Sequence, residues 1–208
     1  MSVYQTEEEQ VEAIKKWWKE NGTSVVAGLA IGLGAVFGWQ GWTSYHDRIG
    51  AEASTAFTQM MNAVDSQQLE AADKQAELLR LEYGSTSYAV FAAMADARVK
   101  LEQGDSAAAR SQLEWAMQNS PNQSLKHLVK LDLARVLLND GELDGAAELA
   151  DIDDGGFAGE FAELRGDIAL ARQDKVAAHE AYSLALSQNV TNAEQVRMKL
   201  DDLAIAQP

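Results

Sequence analysis

Apolar positions along this chain follow two patterns in turn. From Ser24 to Trp42 the sequence SVVAGLAIGLGAVFGWQGW runs 19 residues with no charged side chain and no polar face, and the uncharged window reaches from Asn21 to Tyr45. A helix over this stretch is roughly 28 Å long at 1.5 Å per residue, close to the hydrocarbon thickness of a bilayer. A helix that is apolar all round must be buried in protein or in lipid. No second apolar segment of similar length exists to enclose it. The pattern predicts a single transmembrane helix at residues 24–45, preceded by a tail of residues 1–23. Beyond it apolar residues recur every three or four positions, the period of amphipathic helices. With two prolines (Pro121 and Pro208), scarce alternation, and Ala, Leu, Glu, Gln and Lys dominant, residues 46–208 are expected to be helical throughout.

The helical part repeats. Tyr88–Pro121 is 34 residues long, the length of a tetratricopeptide unit, with two helical patterns flanking a Gly104-Asp105 turn. Small Ala97 sits on its first helix; Ala109, Leu113 and Ala116 follow on its second. Ala134, Gly141 and Ala146 lie 37 residues after Ala97, Gly104 and Ala109. From Ala134 to Gly166 and from Ala146 to Ala178 the step is 32, and Ala178, Tyr182 and Ala185 restore a small, large, small series. Helices approach closely only where small residues meet large ones, and one pair cannot cover its own apolar face, so the units are expected to stack into an α-solenoid. Ala51–Tyr83 reads as a degenerate first repeat. Ala53, Phe57, Met60, Met61 and Val64 share one face of its first helix, and Leu69, Ala72, Ala76 and Leu79 share one face of its second. Thr191–Ala204 reads as an end helix with Val196, Leu200 and Leu203 inward and Thr191 or Asn192 as its cap. The fold class is all-α: a single N-terminal transmembrane helix followed by a tetratricopeptide-like solenoid.

The flanks orient the span. Lys15, Lys16 and Lys19 precede it, whereas Arg48 is the only base after it until Lys74. Lys and Arg set topology while Glu contributes little, so the tail is expected in the cytoplasm and the repeats translocated across the membrane. Trp17 and Trp18 on one side, and Trp39, Trp42 and Tyr45 on the other, suit the two headgroup layers. Glu7–Glu20 has helical composition, with Val11, Ile14 and Trp18 at spacings of three and four, and reads as an interfacial helix running into the span. A cleaved signal peptide is the rival reading. Ala51-Glu52-Ala53 resembles a small-residue site, but it lies beyond charged Asp47 and Arg48 and follows a longer apolar run than signal cores have. Gly28 and Gly32, and Gly34 and Gly38, are spaced by four. They either pack the span against another membrane helix or reflect the ordinary glycine content of such helices.

Charge narrows the partners. Formal net charge is −15; the tail holds five of the 32 acids and three of the 17 bases, leaving 27 acids and 14 bases elsewhere. That balance argues against nucleic acid, whose binding needs Lys and Arg on phosphates, and favours solubility and basic partners. With no cysteine, disulfides, thiol nucleophiles and cysteine-based zinc sites are ruled out, which suits an oxidising compartment. His46, His127 and His179 have no partner at metal-ligand spacing and read as surface or edge residues. No phosphate loop, HExxH or GxSxG occurs. Asp151, Asp153 and Gly156 match calcium-loop positions 1, 3 and 6, but Gly155 and Ala162 fail positions 5 and 12, so the segment reads as a solvated loop. No catalytic residue, metal ligand or cofactor is expected. Of the repeats' large aromatics, Tyr88, Phe91, Trp115, Phe157, Phe161 and Tyr182, most should serve as core and one or two should line a groove.

The N-terminal YQTEEEQVEAIKKWWKENG, the span ending in GWQGW, the LRGDIALARQDKVAAHEAYSLAL repeat and the closing VRMKLDDLA together resemble the YfgM family of ancillary SecYEG translocon subunits, across nearly the whole chain. The resemblance implies an inner-membrane protein with a periplasmic tetratricopeptide-like domain. It further implies association with the SecYEG translocon and the periplasmic chaperone PpiD, handover of exported client proteins, and restraint of the Rcs stress response. It offers no catalytic residues. The expected function is a non-enzymatic adaptor; a structural scaffold for other envelope machinery is the alternative.

Overall fold

The computed structural model describes residues 7–152 and 155–203, so Tyr4, Asp153, Ala204 and Pro208 lie outside it. Among the described residues there are nine α-helices and no strand: α1 (Glu7–Asp65), α2 (Leu69–Glu82), α3 (Ser87–Glu102), α4 (Ser106–Asn119), α5 (Gln123–Asn139), α6 (Leu143–Ala150), α7 (Ala158–Ala171), α8 (Lys175–Ser187) and α9 (Ala193–Asp202). Contacts divide the chain into Met1–Ile49 and Gly50–Pro208.

The first unit holds the N-terminal part of α1. Its apolar residues stand open: Ile31, Phe37 and Trp39 are each about two-thirds exposed or more, at 74, 66 and 68%. By length and composition α1 can cross a membrane. Burial in protein does not explain its apolarity, because a core helix of this composition would be enclosed.

The second unit is a series of helical hairpins: the end of α1 with α2, then α3 with α4, α5 with α6, and α7 with α8, closed by α9. Each hairpin turns through one residue with left-handed backbone: Gln67 (φ 56°), Gly104 (80°), Gly141 (80°) and Gln173 (64°). These four are spaced 37, 37 and 32 residues apart, so the repeat register extends to the first hairpin. Asp105 and Asp174 cap the helices that follow, accepting from the amides of Ala108 (2.9 Å) and Ala177 (3.0 Å). Thr86 and Asn122 do the same for α3 and α5, accepting from Ala89 and Leu125.

Volume is traded within three of the four hairpins, and in the third both helices bring alanine. At matching positions the two helices present Met60 and Ala76, Ala97 and Leu113, Ala134 and Ala150, Gly166 and Tyr182. All are buried. Where the first helix is bulky the second is small, and the smallest residue faces the largest, which is how close packing is kept with varied sequence. Ala109, Ala116, Ala146, Ala178 and Ala185 are likewise fully buried.

Two expectations change. On the first hairpin the buried face of α1 is Ala53, Ala56, Met60 and Ala63, while Phe57, Met61 and Val64 are half-buried at its edge. The face turns towards alanine because α2 brings Ala72 and Ala76 close against it. At α9 Asn192 occupies the N-cap position, but neither its side chain nor that of Thr191 accepts from a helix amide. The Thr191 hydroxyl donates to Glu160 (2.6 Å), and the Asn192 amide donates to Glu163 (3.0 Å) and Gln195 (3.0 Å). Both side chains are drawn to the acids of α7 instead.

Candidate protein-binding surface

The first helices of successive hairpins do not pack alike. α5 packs directly against α7, whereas α3 and α5 make no comparable contact. The gap between them is a groove of about 420 Å³. Its floor is Ala97, Leu113 and Val136; Met94 and Leu101 form one wall, and Arg98, Asp132, Arg135 and Asn139 rim it. Along α3 the residues Phe91, Met94, Arg98 and Leu101 follow at spacings of three and four, so they form one stripe. Phe91 continues into an aromatic cluster, with Phe57 6.4 Å from it and 6.0 Å from Tyr88 between ring centres.

Electrostatics at the rim are loosely committed. Arg98 meets Glu102 at 3.4 Å and Arg135 meets Asp132 at 3.3 Å, each on its own helix. Such exposed pairs contribute little and exchange readily. Burial pushes the Asp132 carboxyl above its ordinary range, and Arg135 pulls it partly back. The same repeat position carries Arg98, Arg135 and then Asp167. In the last repeat that position is closed: Lys199 of α9 bonds Asp167 (2.7 and 2.9 Å) and Glu163 (2.8 Å), and the Tyr182 hydroxyl donates to Asp167 (2.7 Å). Burial opposes the charge on Lys199, but the Asp167 and Glu163 bonds prevail and hold its pKa up. Burial and the same Asp167 bond push the Tyr182 phenol up.

A second polar cluster joins α2 to α3. Lys100 bonds both oxygens of Asp73 at 2.7 Å and approaches buried Asp96 at 3.9 Å. Burial, and then the neighbouring Asp73, push the Asp96 carboxyl up to about 6. Arg80 lies over the Trp115 ring (5.4 Å) and donates to Gln112 (2.8 Å).

Of the aromatics, Phe161 and Tyr182 are fully buried, Tyr88, Trp115 and Phe157 are half-buried, and Phe91 is 39% exposed. His127 departs from its expected surface position. It is buried edge-on against Phe161 (5.9 Å), with Gln123 at 2.7 Å. His46 packs on Trp42 (4.2 Å), and His179 is exposed. No group of three or more metal-ligating side chains occurs among the described residues. Asp151 is exposed, and Arg165 donates to the carbonyls of Ala150 and Ile152, both at 3.0 Å, bracing the start of that loop.

The four span glycines have open space where a Cβ would stand. They do not share one face: at 100° per residue Gly34 and Gly38 lie roughly 240° around from Gly28 and Gly32. Sequence spacing singled out the packing positions but not Met94, Arg98, Leu101, Asp132 and Arg135. The repeat step carried their signal, since Arg98 and Arg135 each follow the marker alanines Ala97 and Ala134.

Residues 15–205 match the profile of a tetratricopeptide repeat-like domain. A protein of Haemophilus influenzae is 34% identical over 95% of this chain and 97% of its own length. One of Escherichia coli is 31% identical over 99% of this chain and 100% of its own, and one of Aggregatibacter actinomycetemcomitans is 31% identical over 95% and 97%. Each of the three is named an ancillary SecYEG translocon subunit. No solved structure matches the chain significantly.

Proposed function

This chain belongs to the family of ancillary SecYEG translocon subunits with a tetratricopeptide repeat-like domain, and from that premise we propose that it is a non-enzymatic, membrane-anchored adaptor at the translocon. The span of α1 holds it in the inner membrane with the tail cytoplasmic and the repeats periplasmic. The first-helix side of the repeats binds other proteins: the chaperone PpiD and exported clients that it helps to hand over. Through these contacts it also takes part in restraining envelope stress signalling. The observation that carries the reading is the likeness to translocon subunits over essentially the full length, anchor and repeats together. The mechanism is tethering: fixing a binding surface beside the exit site raises its effective concentration there.

Support for the binding side comes from the groove between α3 and α5, the exposed ring of Phe91 and the loosely paired arginines. Photo-crosslinkers at Phe91, Arg98 and Arg135 in intact cells test it, with Ser111 on α4 as the control position. Translocon subunits, PpiD and exported proteins are expected from the first three positions and not from the control. Recovery of cell-wall or outer-membrane assembly proteins in their place would favour the scaffold reading and overturn this one.

A further inference from the structure

The start of α1 carries an apolar face that nothing in the first unit covers. Val11, Ile14, Trp17 and Trp18 are 48, 67, 53 and 53% exposed. At 100° per residue they occupy an arc of roughly 120°. Lys15 and Lys19 lie beside the Val11 edge of that arc, roughly 40° and 80° beyond it; Glu12 and Glu9 lie farther round, at roughly 100° and 160°, and Glu20 stands roughly 60° from the opposite, Trp17 edge. An upright helix would leave Val11 and Ile14 in water, since Val11 precedes the uncharged window by ten residues, roughly 15 Å along the axis.

Asn21, Gly22 and Thr23 separate the segment from the span, and all three are poor helix formers. The Asn21 amide already donates to the Trp17 carbonyl (3.0 Å), competing with the helix ladder. A Cβ at Gly22 would meet only the Trp18 ring, at 3.2 Å. α1 runs through the joint unbroken, but intrinsic helix propensity is low there.

We infer that residues 9–20 bend over at Gly22 and lie along the membrane leaflet where the span begins, with Val11, Ile14, Trp17 and Trp18 in the acyl boundary and Lys15 and Lys19 on anionic phosphates. The inference rests on the reading of α1 as a membrane anchor. Lipid is the occupant because the face runs directly into the span, because its rings are tryptophans, which settle at headgroup depth, and because lysines border its Val11 edge. Lysine stems then lie on the apolar boundary while their ammonium groups reach the phosphates. The acids turn to water.

The chain has no cysteine, so single cysteines report depth without background. Val11→Cys, Ile14→Cys and Trp18→Cys are compared with Glu12→Cys, Lys16→Cys and, within the span, Ala30→Cys. The full chain is placed in vesicles of phosphatidylethanolamine and phosphatidylglycerol at 3:1, and labelled with N-ethylmaleimide, which reaches both sides. Positions 11, 14 and 18 are expected to react at least tenfold more slowly than 12 and 16, with the contrast shrinking severalfold in phosphatidylcholine vesicles. Equal rates at 11, 14, 12 and 16 with Ala30→Cys protected would overturn this inference alone. Fast labelling of Ala30→Cys would overturn the anchor reading beneath it, and an unchanged contrast in phosphatidylcholine would overturn the role of the lysines.

Discussion

The backbone of Gly166 lies against the ring of Tyr182. A Cβ at position 166 would fall inside contact distance of Cδ1 and Cε1 of that ring, and the same phenol donates to Asp167, the next residue on α7. The largest fully buried side chain is thus accommodated by the absence of one, and its polar end is satisfied within the same hairpin.

Gly166→Ala is expected to lower stability by about 2–3 kcal/mol, because the ring is fully buried and has nowhere to move. Denaturant unfolding in detergent micelles measures this. Adding Tyr182→Leu should recover part of the loss, so the two changes together would cost less than their sum. Strict additivity would mean the two residues do not share the contact described.

Glycine is missing at two of the four hairpin turns that use its backbone. Gln67 and Gln173 adopt the left-handed conformation that Gly104 and Gly141 adopt in the other hairpins. Gln173→Gly should raise stability by up to ~1 kcal/mol, and Gly104→Ala should lower it by about the same amount. Shifts of Tm of opposite sign in the two variants are the expected result.

Asp96 makes stability depend on pH in an unusual direction. Its folded pKa of about 6 lies above the ordinary 3.8, so the folded state holds the proton more tightly between those values. Its contribution therefore falls as pH rises from about 4 through about 6 and stays low above. Asp96→Asn removes the penalty of a buried charge beside Asp73. The variant should be more stable than the parent by on the order of 1–2 kcal/mol at pH 7.5, with the difference vanishing towards pH 4. Unfolding curves of both chains across that range decide it.

Lys199 holds α9 to α7 through Glu163, whose side chain is only 6% exposed. Lys199→Met leaves that carboxylate without its cation and should destabilise by about 2 kcal/mol, less than a fully buried pair because the lysine is partly in water. Amide exchange should quicken in α9 before it does in α3 to α5. Glu163→Gln in the same chain should restore most of the protection.

The two glycine pairs of the span predict different outcomes. Gly41 lies on the side of Gly34 and Gly38, which gives that side three glycines between positions 34 and 41. Leucine at 34 and 38 should reduce co-purification of translocon subunits several-fold, and leucine at 28 and 32 should reduce it less. Quantitative recovery from membranes compares the two.

Sequence alone determined the helical class, the apolar segment and the repeat step. Each depends on a period or a composition that survives without knowing what any residue touches: uncharged length from Ser24 to Trp42, and small residues recurring from Ala97 to Ala134 to Gly166. Only the tertiary structure decided which positions opposed one another. Gln67 and Gln173 were invisible as turn residues because their side chains do not announce a left-handed backbone. Neighbouring helices, not the apolar pattern of α1, set the burial of Ala56 and Ala63 over Phe57. The side-chain cap bond of α9 was lost to Glu160 and Glu163, which are distant in sequence and adjacent in space. The groove between α3 and α5 is likewise a matter of spacing between helices, and no single helix encodes it. Local periodicity is written in neighbours along the chain, whereas a surface is made by elements that meet only after folding.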